Sequence, residues 1–199
     1  MRNISNSACE MTWQKAFESG FLNASHAFSQ MANSKVLHNN FHYGLYDLNS
    51  SALNEDYQLY NKTPRYLITT EIVGDITGKS YLYLSQADFD HLTQSIPDIN
   101  QGTANLRDEF AKELDNILSA AVITKLSNEL KYKMFGNVPV LVGKVTSRLE
   151  DVIYDDFSEQ TEEVYINSIY FSLENQSTVN PLFVWVFDKC VINQKELVE

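Results

Sequence analysis

The sequence predicts an α+β domain in which helices pack on one face of an antiparallel sheet. Two long stretches, residues 9–33 and 105–132, show the three- and four-residue apolar spacing of amphipathic helices. Six shorter stretches show the alternation, or the continuous apolar run, that is typical of strands. Strands that follow one another in the chain favour antiparallel pairing, and this leaves one face of the sheet for the helices.

Length and composition indicate one ordered domain. A chain of 199 residues with 44% hydrophobic and 21% charged residues can bury a core and is too apolar for a disordered chain. We expect a single domain over residues 1–199, with residues 193–199 as a disordered tail. No apolar run is long enough to span a membrane, and residues 1–7 lack the apolar core of a signal peptide. A cytoplasmic protein with no membrane insertion is therefore expected.

The net charge of −11 narrows the classes of partner. An acidic surface repels phosphate backbones, which argues against nucleic-acid binding. The charge identifies no protein partner, and solubility is its simplest explanation. Cys9 and Cys190 are too few for a structural zinc site and are expected to be reduced, although the sequence leaves a bridge between them open.

The first half of the chain begins with the helix at residues 9–33. Residues 37–48 alternate as a strand, so the four-residue spacing of His38 and His42, which suits a metal on a helix, carries little weight. Residues 49–64 are rich in Asn, Ser and Asp and end in Pro, so they are predicted to be a surface loop.

A hairpin is the clearest strand signal. Residues 65–76 and 79–84 are apolar or alternating, and the turn between them ends in Gly78. A short helix follows, and the pair Ser85 and Asp88 at its start resembles a capping box.

The second half of the chain starts with the helix at residues 105–132. A strand at residues 138–145 follows it. Residues 150–163 are acidic and irregular and are predicted to form an exposed loop. Two strong strand patterns, 164–173 and 182–192, complete the chain.

The helix at residues 105–132 presents polar groups on the side away from the core. At 100° per residue, Glu109, Glu113, Asn116 and Ala120 share one face, and Ile123 lies within about 20° of Asn116. The apolar side chains centre on the opposite side: Phe110, Leu114, Ile117, Leu118 and Ala121. A carboxylate and an amide one turn apart on an exposed face can reach into another molecule. Ordinary solvated surface residues are the simpler alternative.

Glu113-x-x-Asn116, followed by Pro139 after twenty-two residues, resembles the signature of the CheC/CheX/FliY family. These bacterial chemotaxis phosphatases dephosphorylate the response regulator CheY. The segment 68–96 resembles the hairpin and short helix that precede the motif helix in that family. The resemblance spans about residues 65–144 and implies a CheC/CheX-like α+β fold, with homodimers that form through sheet edges.

Some members of this family carry the signature helix twice. A shift of 98 residues lays the first helix of this chain on the second and places Lys15 on Glu113 and Glu18 on Asn116. No second site survives that overlay. The chain is therefore most similar to the single-site, CheX-like members.

The sequence departs from the family pattern at two places. Glu109 stands where the family usually has Asp or Ser, and Ser119-Ala120 stand where Gly is frequent. Both changes make the helix face bulkier. They favour an alternative function, a non-catalytic binding or assembly module of the kind found in flagellar switch proteins.

The resemblance implies a hydrolase that removes phosphate from an aspartate on a CheY-like receiver domain in two-component signalling. Asn116 would orient the attacking water, because an amide both donates and accepts hydrogen bonds. Glu113 would dock the partner by pairing with its lysine. The remaining docking or motif positions are Glu109, Ala120, Ile123 and Pro139. The receiver would supply its own Mg²⁺, so no cofactor or metal is expected on this chain.

Overall fold

A seven-stranded antiparallel sheet forms the centre of the protein. The computed structural model describes residues 8–57, 65–94, 104–174 and 179–190. Its helices are α1 (Ala8–Ala32), α2 (Ala52–Tyr57), α3 (Gln86–Gln94), α4 (Ala104–Leu130) and α5 (Leu149–Phe157). Its strands are β1 (Val36–Asp47), β2 (Arg65–Gly74), β3 (Gly78–Ser85), β4 (Met134–Gly136), β5 (Val140–Val145), β6 (Glu163–Leu173) and β7 (Leu182–Asp188). The predicted α+β class with an antiparallel sheet is confirmed.

The two halves of the chain repeat one arrangement. Each half runs from a long helix through a strand and a short helix to a hairpin: α1, β1, α2 and β2–β3, then α4, β5, α5 and β6–β7. β1 pairs with β6, β5 pairs with β2, and β3 pairs with β7 between them. Both outer pairings change register, between Asn39 and His42 and between Leu67 and Ile68. The match between the two long helices in the sequence therefore corresponds to a repeat in the order of helices and strands.

One face of the sheet is covered by the two long helices, as predicted. Side chains alternate along the strands, so Phe183, Trp185 and Phe187 of β7 face α1. α1 and α4 approach closely at Gly20, where an added Cβ would lie 3.2 Å from Val122 Cγ1. Even an alanine at position 20 would require Val122 to move by a few tenths of an ångström.

The opposite face carries α2 and α5, two short helices in segments that the sequence patterns predicted to be loops. The prediction of an exposed loop at residues 150–163 is wrong, because α5 buries Leu149, Ile153 and Phe157 against the sheet. These residues are four apart, which places them on one helix face despite the acidic residues between them. α5 is also anchored by Asp156, which accepts hydrogen bonds from Lys79 Nζ and Tyr81 OH, both at 2.7 Å.

The predicted surface loop at residues 49–64 is likewise helical in part. α2 buries Leu53 and Tyr57 in the same apolar cluster as α5, and the Tyr57 hydroxyl lies 2.7 Å from the Ser168 hydroxyl. Residues 58–64 lie outside the described part of the chain.

The predicted capping box at the start of α3 is confirmed. The Ser85 backbone N–H donates to Asp88 Oδ2 at 2.6 Å, and the Asp88 N–H donates to Ser85 Oγ at 3.1 Å. Asp88 is buried, and its Oδ1 also accepts a 2.7 Å hydrogen bond from the Asn180 N–H. One carboxylate thus caps α3 and holds the chain that leads into β7.

Several sequence-based expectations concern residues at the margins of the described ranges. The predicted tail at residues 193–199 lies outside them. Cys190 carries an exposed free thiol, and the Cys9 side chain is not described.

The His42 ring hydrogen-bonds to the Tyr46 hydroxyl, while His38 is exposed. Among the described helices, none is both long and apolar enough to cross a membrane.

Candidate functional site

α4 divides into a buried side and an exposed side as its sequence predicts. Glu109, Glu113, Asn116 and Ala120 are all exposed. The fully buried apolar residues recur every three or four positions: Ala111, Leu114, Leu118, Val122, Leu126 and Leu130. The three- and four-residue spacing places them in one stripe against the sheet. The predicted sharing of one exposed face by Glu113 and Asn116 is therefore confirmed.

A groove of about 260 Å³ runs between this exposed face and the segment that leads into β5. It is lined by Glu109, Lys112, Glu113, Asn116, Gly136, Asn137, Val138 and Pro139. A second groove, of about 430 Å³, adjoins it and is lined by Asp108, Glu109, Lys112, Pro139, Val140 and Leu141. The first groove brings together four of the predicted site residues, Glu109, Glu113, Asn116 and Pro139.

The far wall of the groove is held in place by β2. The Asn137 backbone N–H donates to the Glu71 carbonyl at 2.8 Å, and its Nδ2 donates to Glu71 Oε2 at 3.1 Å. Pro139 follows, is buried, and leads directly into β5. The predicted position of this proline at the strand entry is thus observed, and Pro139 lines the same groove as Asn116.

The other two predicted docking positions do not line either groove. Ile123 is half-buried and packs against the core. An added Cβ on Gly136 would lie 3.2 Å from Ile123 Cδ1, so β4 covers this side chain. Ala120 is exposed on the helix surface beyond the groove. Their roles in docking a partner stay predictions.

Ser119 does not lie on the exposed face, contrary to the sequence interpretation that it makes this face bulkier. Its side chain is buried, and its hydroxyl lies 3.2 Å from the Ser80 hydroxyl of β3. Only Ala120, of the pair Ser119-Ala120, changes the surface that a partner would meet.

Asp115 precedes Asn116 in α4 and lies on the buried side of the helix. It is fully buried, its Oδ2 accepts a 2.5 Å hydrogen bond from Thr70 Oγ1, and its Oδ1 has no partner in the described part of the protein. Burial raises the pKa of Asp115 to about 7, against the lowering effect of the hydrogen bond from the Thr70 hydroxyl. The sequence projection places this residue away from the exposed face but gives no sign that it is a buried acid.

Lys112 is a groove residue that the sequence interpretation missed. Its Nζ lies 2.5 Å from Glu109 Oε1, in an ion pair three residues apart on α4. The i,i+3 spacing of Glu109 and Lys112 is the signal from which this pair could have been found. In α1 the exposed residues Lys15 and Glu18 overlay on Glu113 and Asn116, so neither position carries the group that the signature has there.

Comparison with known proteins reveals similarity at the level of the fold. No sequence-family profile matches the chain. No curated protein sequence matches it either. Among solved structures, FliY from Thermotoga maritima has a TM-score of 0.66 and 12% identity, over 98% of this chain and 96% of that one.

Two further structures extend the comparison. The FliM middle domain from Vibrio alginolyticus has a TM-score of 0.60 and 11% identity, over 94% of this chain and 99% of that one. The chemotaxis protein CheX from Vibrio vulnificus has a TM-score of 0.58 and 12% identity, over 87% and 95%. The protein therefore has the fold of the CheC/CheX/FliY proteins, which confirms at the level of the fold the resemblance suggested by Glu113, Asn116 and Pro139.

Proposed function

We propose that this protein is a phosphatase that hydrolyses the phospho-aspartate of a CheY-like receiver domain. The observation that carries this proposal is the joint placement of Glu113 and Asn116. Both are exposed on one face of α4, and both line the groove whose far wall contains Pro139. A receiver can approach this face without any rearrangement of the described core.

In the proposed reaction, a water attacks the phosphorus in line with the aspartate oxygen. The bond between phosphorus and that oxygen breaks, and inorganic phosphate and a free carboxylate are released. Asn116 accepts a hydrogen bond from the water and donates one to a phosphoryl oxygen, which fixes the line of attack. The receiver supplies the Mg²⁺ and the lysine that neutralise the developing charge, so this chain contributes positioning.

Glu113 lies one helical turn before Asn116, and we assign it the docking contact with the receiver lysine. Glu113→Ala is expected to raise the half-saturating receiver concentration about tenfold and to change the maximal rate much less, because a charged docking pair acts mainly on binding. Initial rates measured against receiver concentration separate the two effects. Glu129→Ala, at another exposed carboxylate of α4, is the matched control. An unchanged half-saturating concentration for Glu113→Ala would refute the docking role.

A second candidate is a non-catalytic binding or assembly module on the same fold. The similarity to the FliM middle domain over 94% of the chain favours it, as do Glu109 and Ala120, which depart from the phosphatase pattern. Phosphate release from a phosphorylated receiver, measured with and without the wild-type chain, separates the two candidates. Acceleration supports the phosphatase. Binding of the receiver without acceleration supports the module.

We also propose that the protein acts in cytoplasmic chemotaxis-type signalling and forms a homodimer through a sheet edge. The edge that fits is β5, which pairs only with β2 among the described strands and exposes Val140 and Val142. Exposed apolar side chains on an edge strand favour pairing with another chain.

Val140→Lys is expected to convert the dimer to a monomer, because it introduces a charge into the proposed contact. Sedimentation equilibrium at micromolar concentration measures the change. Leu37→Lys, an equivalent substitution on the opposite edge strand β1, should leave the dimer intact. A monomeric wild-type protein, or a dimer lost only with Leu37→Lys, would refute this arrangement.

A further inference from the structure

The two grooves beside α4 contain one cation among their described lining residues. That cation is Lys112, and the charged residues around it are Asp108, Glu109 and Glu113. We propose that Lys112 binds the phosphoryl group of the docked receiver, and that Glu109 holds the lysine at the groove until that group arrives. This assignment rests on the proposed phosphatase function and adds a residue to its site.

The position of Lys112 supports this role. It lines both grooves, whereas Glu113 and Asn116 line only the first, so the lysine lies where the two meet. Its side chain is 31% exposed, against 67% for Glu109. A lysine side chain that is partly exposed can change partners by rotating its outer bonds.

The charge around the groove explains why a cation is needed there. A phosphoryl group is an anion, and three carboxylates border the surface that it would approach. Like charges within a few ångströms repel, and the repulsion is stronger where the docked receiver excludes water. Lys112 lies between Glu109 and Glu113 in sequence and on the same side of the helix. It is therefore placed to offset the repulsion at the point where Asn116 must act.

The ion pair with Glu109 is weak enough to be exchanged. The two side chains are three residues apart on an accessible helix face, and ion pairs of this kind contribute little to stability. A phosphoryl group offers more negative charge and more acceptor oxygens than one carboxylate. Transfer of Lys112 from Glu109 to the phosphoryl group therefore exchanges a weak pair for a stronger one.

The test compares Lys112→Met, Lys112→Arg and the control Lys125→Met, which removes a lysine about 20 Å further along α4. The substrate is a receiver domain from the same organism, phosphorylated with acetyl phosphate. We expect Lys112→Met to lower the maximal rate of phosphate release about tenfold. Lys112→Arg should retain most of the rate, and Lys125→Met should retain all of it. Circular dichroism confirms that each variant is folded.

Binding measurements identify the group that the lysine contacts. The probes are the same receiver in its unmodified form and in its beryllofluoride form, in which beryllofluoride takes the place of the phosphoryl group. Lys112→Met should weaken binding of the beryllofluoride form about tenfold and leave the unmodified form unchanged. Equal weakening of both forms would show that Lys112 docks the receiver surface, and an unchanged affinity and rate would show an ordinary solvated ion pair. Either result overturns the inference.

The part assigned to Glu109 is tested by a double-mutant cycle. Glu109→Gln should raise the rate two- to threefold when Lys112 is present and have no effect in the Lys112→Met background. An equal effect in both backgrounds would refute the restraint by Glu109.

The rate of phosphate release with Asn116→Ala distinguishes a failure of this inference from a failure of the proposed function. If Asn116→Ala slows phosphate release and Lys112→Met does not, this inference alone fails; if neither does, the proposed function fails.

Discussion

Replacing Asp115 by Asn is expected to stabilise the protein at pH 8 by about 2–4 kcal/mol. The carboxyl group is fully buried, and only one of its oxygens has a partner in the described structure. Its pKa is about 7 in the folded protein against an ordinary value of 3.8. A difference of about three units corresponds to about 4 kcal/mol as an upper bound. Asn keeps an acceptor for the Thr70 hydroxyl and removes the charge that burial disfavours.

The sign of the pH dependence follows from the raised pKa. Between about pH 4 and pH 7 the unfolded chain has lost the Asp115 proton while the folded protein retains it. The free energy of unfolding should therefore decrease as pH rises through this range and level off above pH 7. Asp115 contributes most to stability below pH 4 and loses that contribution by about pH 7.

Urea unfolding at pH 5 and pH 8 measures this effect. The wild-type protein should lose about 3 kcal/mol between the two conditions relative to Asp115→Asn, which has no proton to lose. Asp155→Asn, at an exposed carboxylate of α5, corrects for the change in net charge. The same pH dependence for Asp115→Asn and the wild type would show that the buried carboxyl is not protonated in the folded protein.

Replacing Asn116 by Ala is expected to lower the maximal rate of receiver dephosphorylation about a hundredfold. Removal of one positioned hydrogen-bonding group in a reaction that develops charge has effects of this order. Asn116 is exposed and lines the groove, so its loss should leave the fold and receiver affinity unchanged. The effect belongs to the maximal rate, since the water is oriented only in the docked complex.

The matched control for Asn116 is Asn128→Ala, at another exposed asparagine of α4. Asn116→Asp is a stricter comparison, because it preserves size and replaces the amide donor with a negative charge. It should be as slow as Asn116→Ala. A rate close to that of the wild type for either substitution would show that the amide is not required.

The helix that carries the site could be predicted well from sequence. α4 spans Ala104–Leu130, and the regular apolar spacing from Ala111 to Leu130 defines its buried stripe and its exposed face. The projection places Glu113 and Asn116 correctly because the angle between residues on one helix depends only on helical geometry. It could not place Ile123, because the cover over that side chain comes from β4.

The short helices on the other face could not be predicted in the same way. In α5 only Leu149, Ile153 and Phe157 are buried, and the acidic residues between them dominate the composition. Their burial depends on the face of the sheet left open by the long helices, which is a property of the assembled fold. The four-residue apolar spacing of a helix was present in the sequence. It recurred over too few residues to outweigh the acidic composition, which is typical of a loop.

The groove itself depends on contacts between distant parts of the chain. Its far wall is fixed by hydrogen bonds between Asn137 and Glu71, which lie 66 residues apart. Nothing in the local pattern of either segment indicates this pairing. The sequence therefore predicts the chemical groups of the site and the spacing of Pro139, whereas the surface that brings them together emerges only in the folded chain.

The most direct measurement of the proposed activity is the decay of a phosphorylated receiver from the same organism under single-turnover conditions. The decay is followed with no addition, with the wild-type chain, with Asn116→Ala and with Asn128→Ala. We expect rapid phosphate release with the wild-type chain and with Asn128→Ala, and release close to the unassisted rate with Asn116→Ala. Equal decay in all four samples, with receiver binding demonstrated, would contradict the proposed phosphatase activity. The non-catalytic binding module would then be the remaining candidate function.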